Sequence, residues 1–208
     1  MPARARRGES KVKPRSRRSA VLPVLHFERQ GDWAGWLAEN HHTSPGVWLL
    51  LAKKYSGEQS VSYDEAIEVA LCFGWIDGQK RAHSGGFWLQ KFTPRSHKSV
   101  WSKINKGKAL ALIKAGKMEP AGLRAVEQAR SDGRWDAAYD SAGRATVPDD
   151  LRAALDGNAQ ASKFFEALDG RNRYAILFRI QTARKVETRA RKIAQIVRML
   201  ERNEKFHP

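Results

Sequence analysis

The stretch WIDGQKRAHSGGFWLQKFTPRSHKSVWSKIN, residues 75–105, decides the fold of this chain. Two runs rich in strand-forming residues, 75–81 and 87–92, flank a Ser-Gly-Gly turn, and this pattern predicts a β-hairpin. Pro94 ends the second strand, because proline cannot donate a hydrogen bond to a neighbouring strand. The hairpin therefore leads through a Thr-Pro-Arg corner into the next element, which we predict to be a helix.

The same stretch is strongly basic and rich in tryptophan. No acidic residue occurs between Asp77 and Glu119, whereas ten lysines and arginines do. Ser96 or Ser99 fits the N-cap of the predicted helix. Free N–H groups at a helix N-terminus attract anions. The sequence therefore predicts an anion-binding surface at residues 95–103, which we call the basic–aromatic corner.

We expect the side chains of this corner to converge on one solvent-accessible pocket beside the strand ends. Arg189 joins the set because it lies at the apolar edge of the last predicted helix, where a guanidinium group needs a partner. Two structural alternatives stay open: Arg95 paired with Asp77 under Trp101, and Arg189 bonded to a carboxylate. The predicted ligand-binding residues are Asp77, Trp88, Arg95, Lys98, Ser99, Trp101, Ser102, Lys103 and Arg189.

The net charge of +16 over 208 residues indicates a polyanion partner, either nucleic acid or an anionic surface. Residues 1–19 carry 8 basic residues and 1 acidic residue, and Met1 and Val12 are their only large apolar side chains. Such a segment buries too little surface to fold, so we predict a disordered basic tail. A tail that only increases solubility is the alternative.

The rest of the chain predicts an α+β fold, with a small antiparallel sheet packed with helices and then an all-helical C-terminal segment. Residues 20–135 form the predicted α+β domain. Residues 136–147 are small and polar and are interpreted as a linker. Residues 148–208 show the apolar spacing of four successive helices.

Other kinds of chemistry find little support in the sequence. The six histidines show no metal-ligand spacing, and Cys72 is the single cysteine, so we expect no metal and no cofactor. Asp77 lacks the second carboxylate or histidine that acid–base catalysis usually needs, so an enzyme is not favoured.

Pro23 and Glu28 interrupt the first apolar run, which predicts a cytoplasmic protein without a transmembrane segment. The oligomeric state is not predicted.

Several runs resemble the YdeI/OmpD-associated family over about residues 25–203. That resemblance implies a bacteriocin-protection protein linked to stress and antimicrobial-peptide resistance, with a possible protein partner and no established catalytic residues. The runs that carry it are Gly46–Leu49, Ser62–Ala66, Cys72–Gly78, Phe92–Arg95, Ser99–Asn105, Gly116–Gly122 and Thr182–Ile193.

Three functional hypotheses follow. The first is a non-catalytic stress or bacteriocin-protection protein that binds an anionic partner through the basic–aromatic corner. The second is a nucleic-acid-binding protein, RNA- or ribosome-associated, that uses the tail and a lysine face on the helices. The third is an unrecognised enzyme around Asp77 and Arg95. The predicted nucleic-acid face consists of Lys103, Lys106, Lys114, Lys117, Arg191 and Arg198.

Overall fold

The computed structural model describes residues 21–208, so the predicted disordered tail (residues 1–19) lies outside the described residues. The elements follow in the order β1 (Val24–His26), α1 (Gln30–Asn40), β2 (Val47–Ala52), α2 (Tyr63–Cys72), β3 (Trp75–Ala82), β4 (Phe87–Pro94), α3 (Lys103–Lys114), α4 (Pro120–Ser131), α5 (Asp149–Asp156), α6 (Ala159–Glu166), α7 (Gly170–Gln181) and α8 (Val186–Glu201). This arrangement confirms the predicted α+β class.

The four strands form one sheet in the order β1-β2-β4-β3. The predicted hairpin is present, with β3 and β4 antiparallel, and β4 also pairs antiparallel with β2. The sheet is mixed rather than wholly antiparallel, because β1 runs parallel to β2. Helix α1 connects these two strands, and a crossover of this kind is what parallel neighbours require.

One face of the sheet carries the larger hydrophobic core. Val47, Leu49 and Leu51 point to this face in alternation along β2, and they pack with side chains from α1 and α2. Helix α2 begins with a capping box, in which Ser62 and Glu65 satisfy each other's backbone N–H groups. The Trp33 indole on α1 donates to the Ala66 carbonyl at 3.1 Å, which ties α1 to α2.

A β-bulge in the hairpin positions the residues that follow Trp75. The pairing of β3 with β4 shifts register between Asp77 and Lys80. The fully buried side chain of Gln90 holds this irregularity, because its amide donates to the Gly78 carbonyl at 3.0 Å. Bulges of this kind re-aim a side chain. Here Asp77 lies at the end of the sheet next to the start of α2.

A second hydrophobic cluster, from Leu151 to Leu200, is built from α5 to α8. The stretch predicted to be a linker packs between the two clusters, with Tyr139 half-buried and its ring 4.9 Å from that of Phe178. The division of the chain into domains at 136–147 stays a prediction. None of the described helices is both long and apolar enough to cross a membrane.

Candidate functional site

A cavity of about 360 Å³ lies between the start of α3 and the C-terminal helices, and we call it the Asp77 cavity. Its walls come from α2, β3, α3, the stretch 139–142 and α7. The lining residues are Tyr63, Asp64, Ile67, Asp77, Ser102, Ile104, Asn105, Lys108, Tyr139, Ser141, Ala142 and Tyr174. Pockets that hold small molecules are of this size.

Asp77 and Tyr63 form one wall of the cavity. Tyr63 is the first residue of α2, and its hydroxyl donates to Asp77 Oδ2 at 2.9 Å. Burial raises the pKa of Tyr63 well above its ordinary value, and the Asp77 carboxylate raises it further. The phenol therefore stays protonated and remains a donor at neutral pH.

Ser102 and Tyr139 also line the cavity. Ser102 caps α3, because its hydroxyl accepts from the Asn105 N–H at 3.0 Å. The backbone of Tyr139 pairs with this corner, since its carbonyl accepts from the Lys103 N–H at 2.9 Å and its N–H donates to the Trp101 carbonyl at 3.0 Å. Burial and the Asp77 carboxylate both raise the pKa of Tyr139.

Arg95 lies near Asp77 and Tyr139, outside the cavity lining, and stacks on Trp101. The guanidinium carbon is 3.5 Å from the ring centroid, and Nη1 donates to the Val100 carbonyl at 3.3 Å. Burial lowers the pKa of Arg95 to about 9, while the Asp77 carboxylate opposes this shift, so the group stays cationic at neutral pH. Within residues 21–208, neither Nε nor Nη2 of Arg95 has a hydrogen-bond partner, although both atoms are buried.

Arg95 is not among the residues that line the Asp77 cavity, although it lies close to Asp77. Among residues 21–208, the Arg95 guanidinium and the Asp77 carboxylate are not within ion-pair distance of each other. The Trp101 indole N–H is likewise buried without a partner among those residues. Four predicted residues do come together at or behind the cavity: Asp77, Arg95, Trp101 and Ser102.

The other predicted ligand-binding residues make contacts elsewhere. Ser99 belongs to a turn with Ser96, whose N–H donates to the Ser99 hydroxyl at 3.0 Å, so neither serine caps α3. Lys98 is exposed on that turn. Lys103 binds Asp140 at 2.8 Å at the surface.

Trp88 and Arg189 are the last two of the predicted ligand-binding residues. The Trp88 ring packs beside Tyr63, with Lys80 Nζ 4.8 Å from its centroid. Arg189 makes its hydrogen bonds within the C-terminal segment, to the Asp150 carboxylate and the Ile180 carbonyl. This geometry corresponds to the structural alternative for Arg189.

The predicted nucleic-acid face is partly engaged in contacts within the protein. Lys103 is paired with Asp140, and Lys106 donates to the Trp135 carbonyl at 3.0 Å. The other members are exposed, on α3 or just beyond it and on α8: Lys114, Lys117, Arg191 and Arg198.

Sequence reasoning missed the three phenols of the cavity. In the sequence, Tyr63 stands out only as part of the run Ser62–Ala66 that carries the family resemblance, and Tyr139 stands alone in the small, polar stretch interpreted as a linker. A single tyrosine in such a stretch is the one signal that could have indicated packing there. Tyr174, whose hydroxyl donates to the Asp140 carbonyl at 3.1 Å, offers no comparable signal. Among residues 21–208 no group of three histidine, cysteine or acidic residues is placed to hold a metal ion.

Two family models match separate parts of the chain. Residues 25–125 match a domain of unknown function (DUF8412). Residues 144–203 match the family described as "Bacteriocin-protection, YdeI or OmpD-Associated". No curated protein and no solved structure matches the chain. The resemblance to the YdeI/OmpD-associated, bacteriocin-protection family is thus confirmed for the helical segment at residues 144–203, while the cavity's α+β wall matches a family without an assigned function.

Proposed function

We propose that this protein is a non-catalytic protection protein that binds a small zwitterionic ligand in the Asp77 cavity. The observation that carries the proposal is the unpaired side of the Arg95 guanidinium, Nε and Nη2, next to a carboxylate with which it forms no ion pair. These two N–H groups form the fork that binds a carboxylate in bidentate geometry. A buried cation of this kind gains most from an anionic partner.

The charges around the cavity favour a ligand with both signs. A purely anionic ligand at Arg95 would be repelled by Asp77, and a purely cationic ligand at Asp77 would be repelled by Arg95. A ligand with a carboxylate and an ammonium group, such as an amino acid or a short peptide, satisfies both residues. Arg95 interacts with Asp77 and Tyr139 but does not line the cavity, so contact with the ligand requires neighbouring side chains to move.

The lining residues favour binding over catalysis. Asp64, the second carboxylate of the cavity, is 3.2 Å from Lys108 Nζ in an ion pair. Asp77 already accepts a hydrogen bond from Tyr63. A general acid–base pair needs two groups free to exchange protons at the reacting atoms, and this arrangement does not offer them.

The test is calorimetric titration of the full chain with amino acids and dipeptides, each compared with its C-terminal amide and its N-acetyl derivative. We expect both cappings to weaken binding by about tenfold or more, because a charged hydrogen bond contributes roughly 1.5–3 kcal/mol. The Arg95→Met variant should bind each ligand and its C-terminal amide with equal affinity. The Asp77→Asn variant should bind each ligand and its N-acetyl derivative with equal affinity.

Arg124→Met provides the matched control, because Arg124 is exposed on α4. It should bind like the wild-type chain. Equal affinity of the wild-type chain for capped and uncapped ligands, or no binding of any zwitterion, would overturn the proposal. The titrations of the wild-type chain with amidated and N-acetylated ligands decide the test even where a variant folds poorly.

A further inference from the structure

The second face of the sheet, opposite the core, carries a separate set of aromatic and basic side chains. Strand alternation and the pairing register place on this face His26, Trp48, Leu50, Arg81, Phe87, Leu89 and Lys91, which we call the outer sheet face. None of these side chains belongs to either hydrophobic cluster of the described residues. The face shares no residue with the Asp77 cavity.

Cations lie directly over or beside the aromatic rings of this face. The Arg81 guanidinium carbon is 4.2 Å from the Trp48 ring centroid, and Lys91 is the cross-strand partner of Trp48. In the part of the chain that the structure describes, neither cation lies within ion-pair distance of a carboxylate. Their positive charge is therefore available to an external anion.

The charged surface continues past the end of β2. Lys54 lies 4.9 Å from the ring of Tyr55, which is 92% exposed at a positive φ of 66°. In the sequence, the segment with 8 basic residues leads directly into β1, which is the edge strand of this sheet. The most basic segment of the chain, whose net charge is +16, therefore precedes the edge strand of the sheet that carries the outer sheet face.

We propose that the outer sheet face binds single-stranded nucleic acid. Unpaired bases stack on aromatic rings and on guanidinium planes, and a four-stranded sheet is a known platform for such stacking. Arg81 over Trp48 offers the guanidinium plane, and Phe87 and Tyr55 offer rings at the hairpin end of the sheet. Lys91 and Lys54 neutralise phosphates, which adds the salt-dependent part of the affinity.

The surface fits a single strand better than a duplex or a membrane. A flat sheet does not enter the grooves of a double helix, so bases must be unpaired to reach the rings. Binding to an anionic membrane would instead use a continuous apolar surface. At the centre of this face Trp48 is only 7% exposed beneath Arg81, and the exposed apolar side chains of Val24 and Tyr55 lie apart from each other on β1 and after β2.

The test is fluorescence anisotropy of the full chain with a labelled 12-nucleotide oligouridine, the same length of duplex RNA, and vesicles of anionic phosphatidylglycerol. We expect the double variant Arg81→Glu and Lys91→Glu to weaken oligouridine binding by about tenfold or more. The magnitude of the slope of log affinity against log salt should fall by about 0.7, the contribution of the single-strand phosphate contact that Lys91 makes.

Lys114→Glu with Lys117→Glu is the control, because it makes the same change in net charge on the exposed lysines at the end of α3. It should lose clearly less affinity than the outer-face variant. Equal losses in both double variants would overturn the inference, because net charge alone would then explain binding. Duplex bound as tightly as single strand, vesicles bound without oligouridine, or no binding at low salt would overturn it as well. Unchanged thermal unfolding of both variants verifies that the fold is retained.

Discussion

The guanidinium of Arg95 is stabilised in its buried position by an aromatic ring rather than by a carboxylate. Stacking on Trp101 at 3.5 Å is worth about 2 kcal/mol for a desolvated cation. Asp77 adds a favourable charge interaction, which opposes the effect of burial on the pKa of Arg95. These terms keep a cation beside the cavity without using its Nε and Nη2 donors.

Cys72 gives a prediction at the same scale. Burial is the main cause that raises the pKa of this thiol to about 11; Glu119 and Glu68 contribute to the rise, and Lys117 opposes it. We expect iodoacetamide to label Cys72 far more slowly than a free cysteine at pH 8, because the thiolate is the reactive form. Labelling should accelerate as the pH rises towards 11. Mass spectrometry of timed samples measures both rates.

Unfolding in urea is the control for Cys72, because it restores an ordinary thiol and should restore ordinary labelling. Labelling of the native chain at pH 8 at the rate of the unfolded chain would contradict the prediction.

Individual residues of the site were predictable where they lie in the stretch 75–105. Asp77, Arg95, Trp101 and Ser102 fall within one basic, aromatic stretch, so local sequence indicates them. The phenol of Tyr139 reaches the cavity only through backbone pairing with Trp101 and Lys103. Pairing over that sequence separation depends on tertiary packing, which a single sequence does not encode in any local pattern.

Among the elements, α2 and α4 approach each other unusually closely, and this contact depends on Gly122. A Cβ atom at Gly122 would lie 2.2 Å from the Cys72 carbonyl oxygen and 2.7 Å from that of Leu71. Both are backbone atoms, so the helices must separate to accommodate a methyl group. A glycine here permits backbone contact between helices that no other residue allows.

We therefore expect Gly122→Ala to lower the free energy of unfolding by about 1–3 kcal/mol, the usual range for overpacking. Urea denaturation followed by tryptophan fluorescence measures the change. Gly107→Ala is the matched control, since a Cβ there meets nothing within 4 Å and Gly107 lies inside α3. It should raise the free energy of unfolding by about 0.5–1 kcal/mol. A Gly122→Ala variant as stable as the wild-type chain would show that α4 moves freely against α2.

The elements themselves were largely predictable because their signals are local. The capping box at Ser62 and the apolar spacing of the last four helices both appear in the structure. The parallel pairing of β1 was missed, because strand order depends on how α1 crosses the sheet. The cap of α3 was placed at Ser96 or Ser99 instead of Ser102, since all three serines satisfy the same local rule.

At the scale of the whole molecule, the two hydrophobic clusters differ in the probes they contain. All 7 tryptophans lie between Trp33 and Trp135, in or around the first cluster, whereas α5 to α8 form the second. Tryptophan fluorescence therefore reports on the α+β part alone, whereas circular dichroism at 222 nm reports on the helices of both parts, α1 to α4 and α5 to α8. The Asp77 cavity lies between these parts, so a ligand there would bind both and stabilise them together.

Arg189 connects three helices of the second cluster, and this makes the cluster sensitive to acid. Its guanidinium binds Asp150 at the start of α5 with Nη2 at 2.8 Å, and Nη1 donates to the Ile180 carbonyl on α7 at 2.9 Å. The hydrogen bond from Arg189 holds the pKa of Asp150 below its ordinary value of 3.8. A carboxylate with a lowered pKa contributes stability above its unfolded pKa and loses it as the pH falls through its folded pKa.

We therefore expect the thermal midpoint of the helical signal to fall as the pH drops below about 3.8, the ordinary pKa of the Asp150 carboxyl. Arg189→Met should lower that midpoint at pH 7 and should reduce its dependence on pH, because it removes the largest cause of the lowered pKa of Asp150 in the folded state. Asp169, whose pKa is lowered by the backbone N–H of Asn172, should preserve part of the dependence in the variant. Melts at 222 nm between pH 6 and pH 2.5 measure the two curves.

Arg191→Met, on the exposed side of α8, is the control and should follow the wild-type curve. An equal dependence on pH in Arg189→Met and in the wild-type chain would show that the bond to Asp150 is not the source of the acid sensitivity.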